Sequence, residues 1–398
     1  MKILEINKFN FANAGADKHF LDLVALLRAQ GNEVAVFAMD HPRNEASPWK
    51  KHFVSYVGYN RGDSTVWQRV KGALRMFYSF EAKRKTAKLL DEFQPDVVHI
   101  HNIYHQISPS ILSEIKKRGI PVVMTVHDYA LICPDYLMEC SEKDWFGFVK
   151  NKCFKNSYVK SLVAILRFSF HQYLDIYDKN IDRYISPSRF TKNILVKNGL
   201  AENKITVLPH FHPEDMPEEK KPARSQERYV LYAGRISADK GVGELIATFK
   251  KMRNVTLILA GKKDENFILG EAENVKYVGF LSHRELLKYI RGALLLVSFS
   301  RLPETFGLIA LEAAANAKPF VGFDSGAYSE IVEDGHDGYI CHSAEEMQEK
   351  IEKLVVDNGL RILFSRNAAK KAEKFNSQKY YTEIMYEFSE NIRRKKRA

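Results

Sequence analysis

The sequence predicts an α/β protein built of two successive open sheets of parallel strands. Three observations predict it. Short apolar runs, each long enough for one buried strand, recur along the chain and alternate with helical stretches. Several of these runs end in glycine or polar residues, and open α/β sheets bind ligands outside the carboxyl ends of their strands. A single stretch, HFHPEDMPEEKKPARSQER from His210 to Arg228, breaks the pattern with dense proline and charge and reads as a linker and hinge. The expected organisation is a first domain over residues 1–207, a linker over 208–228, a second domain over 229–376 and a final helix over 377–398 that packs back on the first domain.

Size and composition agree. A chain of 398 residues is long enough for two domains, each with its own core. A hydrophobic share of 45% and a charged share of 27% are those of an ordinary globular protein. No apolar run approaches the roughly 18 residues that a membrane span needs. The opening MKILEINKFN reads as a charged short strand rather than a signal peptide, so a cytoplasmic location is expected. Four cysteines, Cys133, Cys140, Cys153 and Cys341, are too few for a disulfide framework, and the absence of a CxxC pair makes poor zinc spacing. The net charge of +11 is uneven: residues 1–200 hold 29 Lys/Arg against 20 Asp/Glu. A basic first half suits an anionic partner such as a phospholipid surface or a polyprenyl diphosphate. The bases are dispersed and no helix-turn-helix, zinc-finger or RNA-binding signature is present, which argues against nucleic acid.

In the first half, Lys2 to Asn7 predicts a strand, followed by a loop with Gly15 just ahead of a helix whose apolar positions are Phe20, Leu23, Val24 and Leu27. Gly31 ends that helix and Val34 to Ala38 is the second strand. Val66 to Leu90 predicts one helix, with Trp67, Val70, Leu74 and Phe77 on a stripe and Lys71 and Arg75 elsewhere, a candidate membrane-touching surface. DVVHIH (Asp96 to His101) and VVMTV (Val122 to Val126) are buried strands whose ends carry His99, His101 and Asn102, then His127 and Asp128. His127, directly after a strand, is placed to touch a substrate. Residues 129–175 read as an irregular insertion rich in aromatics and bases. Arg183 to Ser188, a helix from Phe190 to Asn198 and a strand from Thr206 to Leu208 complete the first domain.

In the second half, Tyr229 to Ala233 predicts a strand leading into Gly234-Arg235 and Lys240-Gly241 ahead of a helix from Val242. Arg235 and Lys240 put two cations by the carboxyl end of a strand, where a diphosphate would lie. Strands follow at Val255 to Ala260, Val275 to Val278, Ala293 to Val297 and Phe320 to Phe323, and the last helix begins near Ser377.

The stretch SFSRLPETFGLIALEAAANAKP, Ser298 to Pro319, holds the most chemistry. Pro303 breaks the chain and a helix is expected from Thr305 to Ala317, with Glu304 at its mouth and Glu312 inside it. Were all the intervening steps helical, the two carboxylates would stand roughly 12 Å apart along the axis. Free N–H groups of Phe306, Gly307 and Leu308 would point at whatever lies in front, and helix N-termini favour phosphate. A carboxylate at each end with amides between them suits a nucleotide diphosphate sugar.

These motifs together resemble the retaining glycosyltransferases of family four. The matching residues are Glu304-x7-Glu312 in PETFGLIALEA, Gly234-Arg235 with Lys240-Gly241 in AGRISADKG, His127-Asp128 in TVHDYALICP, the Gly15 loop, and EIVEDGHDGYI from Glu330 to Ile340. The resemblance covers nearly the full length and implies the GT-B fold, an α/β architecture of two Rossmann-like domains whose parallel sheets face an interdomain cleft. It implies that Glu304 contacts donor-sugar hydroxyls, Glu312 the ribose, and His127 the reacting sugar. Arg235 and Lys240 would neutralise the departing diphosphate with help from the Phe306, Gly307 and Leu308 amides, while Gly15 and Gly234 let the donor approach the backbone. His127, Arg235, Lys240 and Glu304 are thus the expected catalytic residues.

The implied reaction is metal-independent transfer of a hexosyl unit to a glycan or lipid-linked acceptor, with no cofactor beyond the sugar nucleotide and no Asp-x-Asp metal motif in the chain. Cell-envelope polysaccharide assembly at the inner face of the plasma membrane is the expected setting, with an anionic membrane surface as partner. Three departures from the family pattern stand out: Gly261-Lys262-Lys263-Asp264 after the second strand of the second domain, Asn316-Ala317 where a glycine commonly follows, and Gly326-Ala327-Tyr328 at the later turn. A GT-B sugar-nucleotide epimerase and a non-catalytic sugar-nucleotide-binding subunit are the alternatives. The first would need acid/base carboxylates that the motifs do not single out, and the second would not need Glu304, Glu312, Arg235 and Lys240 together.

Overall fold

The structure, a computed structural model, describes residues 1–57, 66–140, 144–213, 228–252 and 254–397. The chain divides into two compact units. Unit 1 is Met1–Pro187, Lys192–Pro209 and Gln378–Ala398; unit 2 is Ser188–Thr191 and His210–Ser377. Most of the expected linker, residues 214–227, lies outside the described residues. Residues 188–191 belong to unit 2 rather than to the first domain because the Ser188 and Thr191 hydroxyls donate to the Thr305 carbonyl at 2.7 and 3.0 Å.

Unit 1 is one parallel sheet of β1 (Lys2–Ile6), β2 (Glu33–Phe37), β3 (Val97–Ile100), β4 (Val122–Thr125), β5 (Arg183–Ser186) and β6 (Ile205–Val207), in the order β2-β1-β3-β4-β5-β6. Apart from the edge strand β6, these strands are buried on both faces over most of their length, which explains why they read as near-continuous apolar runs. Helix α1 (Gly15–Ala29) buries Phe20, Leu23, Val24 and Leu27, the predicted face.

Two expectations for unit 1 are corrected. The single helix expected over 66–90 is two, α2 (Val66–Phe77) and α3 (Phe80–Phe93), because Ser79 breaks the run and caps α3 by accepting from the Ala82 N–H at 3.1 Å. The side chains of Trp67, Val70 and Lys71 lie outside the described residues. Leu74 is exposed, whereas Arg75 is buried and donates to the Ser55 carbonyl and to Glu81. After the short α4 (Leu112–Lys117), the insertion over 129–175 is not irregular throughout: it holds α5 (Trp145–Lys150) and α6 (Tyr158–Tyr173). Asp144 and Ser157 cap these helices through their side chains, and a disulfide joins Cys140 to Cys153, with the Cα atoms 5.5 Å apart. Helix α7 (Arg189–Lys197) follows β5.

Unit 2 repeats the plan with β7 (Tyr229–Ala233), β8 (Thr256–Ala260), β9 (Val275–Gly279), β10 (Leu296–Ser298), β11 (Phe320–Phe323) and β12 (Gly338–Cys341), ordered β12-β11-β10-β7-β8-β9, all parallel. Its helices are α8 (Val242–Lys251), α9 (His283–Gly292), α10 (Leu308–Ala315), α11 (Tyr328–Ile331), α12 (Ala344–Val356) and α13 (Asn358–Ala372). The last helix, α14 (Ser377–Arg397), lies in unit 1 from Gln378 on.

Helix α10 is shorter than the expected Thr305–Ala317. Glu304 forms an extended bridge with Gly326, and Gly307 takes the N-cap position with φ +91°, so helical geometry begins only at Leu308. A Cβ at Gly307 would come within 2.5 Å of the Tyr328 ring, so that position requires glycine on both counts. The eight steps from Glu304 to Glu312 are therefore only partly helical, and the 12 Å separation does not apply.

Candidate functional site

Each sheet has one point where the strand order reverses. In unit 1 the chain starts at β1, steps outward to β2, and returns to the other side of β1 as β3; in unit 2, β7 is flanked by β8 and by the later β10. The carboxyl ends at such points splay apart and form the crevice that ligands occupy in open α/β sheets. Most of the predicted site residues fall on loops at these two places.

In unit 2, the loop after β7 carries Gly234, Arg235 and Lys240, and the loop after β10 carries Glu304. The two loops meet. Gly241, at φ +67°, lies so close to the end of β10 that a Cβ there would be 2.2 Å from the Phe299 carbonyl oxygen. The Lys240 ammonium forms an ion pair with the Glu304 carboxylate, both side chains being about three-quarters buried (23% and 20% exposed). Arg235 pairs with Asp239 and reaches Asp264 at 3.5 Å. Burial, helped by the Glu304 charge, raises the pKa of the Tyr232 and Tyr328 hydroxyls.

Glu312 is buried on α10, one helical turn in from Leu308. Because α10 starts at Leu308, the leading amides of the helix itself are those of Leu308 and Ile309, and Phe306 and the N-cap Gly307 precede it. The Phe306 ring is a core group, edge-on to His210 at 4.9 Å.

In unit 1, Gly15 is the first residue of α1, and His127 follows β4 by two positions and is half-buried. His127 Nε2 lies 2.8 Å from His101 Nδ1, and the two rings stack with centroids 5.1 Å apart. Behind them stands a group the motif reading missed. Glu5 on β1 is fully buried and meets His99 Nδ1 and His101 Nε2, each at 3.0 Å. Burial alone would raise the Glu5 pKa, but the two imidazoles beside it overcome that and hold it down at about 2, so the carboxylate is ionised. Burial pushes the His101 imidazole down to about 4 and keeps it neutral at pH 7.

Glu5, His99 and His101 are also the group among the described residues whose ligand-type atoms lie within 4.8 Å of one another. Their 3.0 Å contacts are those of hydrogen bonds, which already satisfy both carboxylate oxygens. The one sequence signal for this cluster was a lone carboxylate inside the apolar strand KILEI.

The structure thus brings Arg235, Lys240 and Glu304 onto adjoining loops of unit 2, with Gly234 and Gly307 beside them and α10 carrying Leu308 and Glu312. His127 and Gly15 lie in unit 1.

Comparison with known proteins is decisive for the family. Residues 14–214 match the model of Glycosyltransferase Family 4, and residues 215–371 that of Glycosyl transferases group 1. The chain belongs to glycosyltransferase family 4. Among curated relatives, a capsular polysaccharide biosynthesis glycosyltransferase of Staphylococcus aureus is 29% identical over 229 residues, covering 50% of this chain and 59% of that protein. The chain spans about half the length of the curated relatives it matches, 57%, 59% and 48% for three of them.

Among solved structures, sucrose-phosphate synthase of Thermosynechococcus elongatus superposes with a TM-score of 0.72 at 16% identity, covering 98% of each chain. Anabaena HepE in complex with UDP-glucose superposes at 0.66 with 18% identity, covering 98% of this chain and all (100%) of that one. These likenesses show the fold. It is GT-B, as the sequence predicts, with one six-stranded parallel sheet in each Rossmann-like unit.

Proposed function

We propose that this chain transfers a hexosyl unit from a nucleotide diphosphate sugar to an acceptor, with retention of configuration and without a metal ion. The observation that carries this reading is the Lys240–Glu304 pair, assembled from the loops on either side of the switch point of unit 2. One group is suited to a diphosphate and the other to sugar hydroxyls. In this pair each charge neutralises the other. Donor binding exchanges partners: the diphosphate takes Lys240, and the Glu304 carboxylate accepts hydrogen bonds from the sugar hydroxyls. Arg235 is drawn from Asp239 and Asp264 in the same way, and Glu312 accepts from the ribose.

In the reaction the bond from the anomeric carbon to the phosphate oxygen breaks and a bond to the acceptor oxygen forms on the same face. The acceptor proton passes to the departing phosphate. Negative charge grows on that phosphate, and Arg235, Lys240 and the Leu308 and Ile309 amides meet it, which is where fixed charges lower a barrier most. His127 contacts the transferred sugar, and Gly15 and Gly234 leave room at the backbone for the donor.

Capsule biosynthesis in the Staphylococcus aureus relative favours a cell-envelope or lipid-linked glycan as acceptor, and the UDP-glucose seen in HepE makes UDP-sugars the first donors to test. A peripheral position on the anionic inner face of the plasma membrane goes with this reading. It is supported by α6, whose Val159, Leu162, Leu166, Phe170 and Tyr173 form one exposed apolar row, with Lys150, Lys155 and Lys160 exposed at or shortly before its start in the chain.

Thermal-shift measurement with UDP- and GDP-sugars tests the donor assignment. A cognate donor raises the melting temperature of the wild type, and Lys240→Ala loses most of that shift and about 100-fold or more in kcat/KM. A Lys240→Ala protein that binds donor and turns over like the wild type would remove the pair from the mechanism.

A further inference from the structure

The imidazole chain behind His127 runs through the switch point of unit 1, and its hydrogen bonds determine where the protons sit. The starting point is Glu5. An ionised carboxylate only accepts hydrogen bonds, so both nitrogens that face it, His99 Nδ1 and His101 Nε2 at 3.0 Å each, carry protons. A neutral imidazole with one nitrogen protonated has its other nitrogen as an acceptor. By this rule His101 Nδ1 is an acceptor, and its partner at 2.8 Å, His127 Nε2, must be the donor.

The reverse assignment would aim the His101 Nε2 lone pair at a buried carboxylate, which costs both a hydrogen bond and a charge contact. The groups facing His101 are Glu5 from β1, His99 from β3, His127 beyond β4, and His19 and Phe20 from α1, with Tyr380 of α14 behind His19. Glu5 is the one charged side chain among them at hydrogen-bond distance, and it faces the Nε2 edge.

We propose that Glu5 and His101 are positioning residues that hold His127 in the tautomer with Nε2 protonated, leaving Nδ1 as the acceptor nitrogen of that ring. His127 Nδ1 then accepts a hydrogen bond from a sugar hydroxyl rather than donating one, which selects a hydroxyl as its partner and fixes the ring's orientation. This rests on the assignment of His127 to the transferred sugar, and it goes further in saying which nitrogen does what and why.

The experiment is 15N NMR on histidine-labelled full-length protein at pH 7, with His127 assigned by its loss in His127→Phe. The expected spectrum shows His127 Nε2 as a protonated, pyrrole-type nitrogen and Nδ1 as a pyridine-type nitrogen; the reverse pattern in the wild type would overturn the proposal. In His101→Phe, which keeps a flat ring but no acceptor, His127 is expected to sample both tautomers, with kcat down about tenfold and donor KM within about twofold. His101→Gln keeps an acceptor oxygen and a donor amide and is expected to restore the wild-type tautomer and at least half of kcat. Equal turnover in His101→Phe and wild type would refute the positioning role, as would a His101→Gln protein no better than His101→Phe. Should His101→Phe fail to fold, the wild-type and His101→Gln spectra still decide. The spectra do not depend on transfer, so a protein with the expected spectrum and no transferase activity would count against the proposed reaction alone.

Discussion

Ala317 shows what one residue can carry. Helix α10 closes in a Schellman arrangement: the Lys318 N–H donates to the Ala313 carbonyl and the Ala317 N–H to the Ala314 carbonyl, both at 2.9 Å. The residue at the turn must be left-handed, and Ala317 is, with φ +52°. An L-residue with a Cβ pays about 1–2 kcal/mol for that conformation, which is why the family pattern commonly has glycine there. Ala317→Gly is therefore expected to stabilise unit 2 by about 1 kcal/mol and raise its melting temperature by roughly 2–4 °C. An unchanged or lower melting point in calorimetry would show that the turn is not strained. The candidate site residues of unit 2 are legible at this same scale. A cation beside glycine at a strand end, or a carboxylate before a helix, is a local pattern with a local cause. Glu5 is not legible in that way, because a lone glutamate in an apolar strand does not reveal which distant side chains it meets.

At the scale of elements, the sequence placed the strands well and the helix ends less well. Strands are bounded by turn residues that speak for themselves, but α10 starts late because of what Gly307 and Glu304 meet, Tyr328 of α11 and Gly326 just before it. Helix α6 was missed for a different reason. Its apolar row faces outward, with Val159, Leu166 and Tyr173 at 71%, 50% and 88% exposure, so its periodicity describes a surface and not a core. Among the described residues no helix is long and apolar enough to cross a membrane. The row and its lysines instead suit a helix lying in the headgroup plane. Wild-type protein is expected to sediment with anionic vesicles at low salt and to be released at high salt. Leu162→Glu with Leu166→Glu is expected to cut that partitioning about tenfold or more without a change in melting temperature. Wild-type binding that ignores lipid charge and salt would end the membrane assignment.

For the molecule as a whole, the buried imidazoles make acid the weak side. His101 and His171, both in unit 1, are held neutral by burial, each with a pKa lowered from 6.5 to about 4. Below pH 6.5 the unfolded chain takes up protons there that the fold refuses. Stability is therefore full above about pH 6.5 and falls as the pH drops toward 4, by roughly 2 kcal/mol per imidazole at pH 5. Glu5, lowered from 4.5 to about 2, adds its own loss only below about pH 4.5. The tryptophans Trp49, Trp67 and Trp145 all lie in unit 1, so their fluorescence isolates this effect. The urea midpoint should drop clearly between pH 7.5 and pH 5; a constant midpoint would mean these imidazoles titrate normally in the fold.

The sequence by itself determined the α/β class, the two-unit plan and the family resemblance, because strand burial, helix periodicity and turn chemistry are all local. Tertiary structure alone decided the strand order that sets Glu5 beside His99, 94 residues away, the joining of Cys140 to Cys153, and the proton pattern that reaches His127. The physical reason is that side-chain pairs across a sheet depend on which distant strands pack together and in what register, and that choice belongs to the whole core.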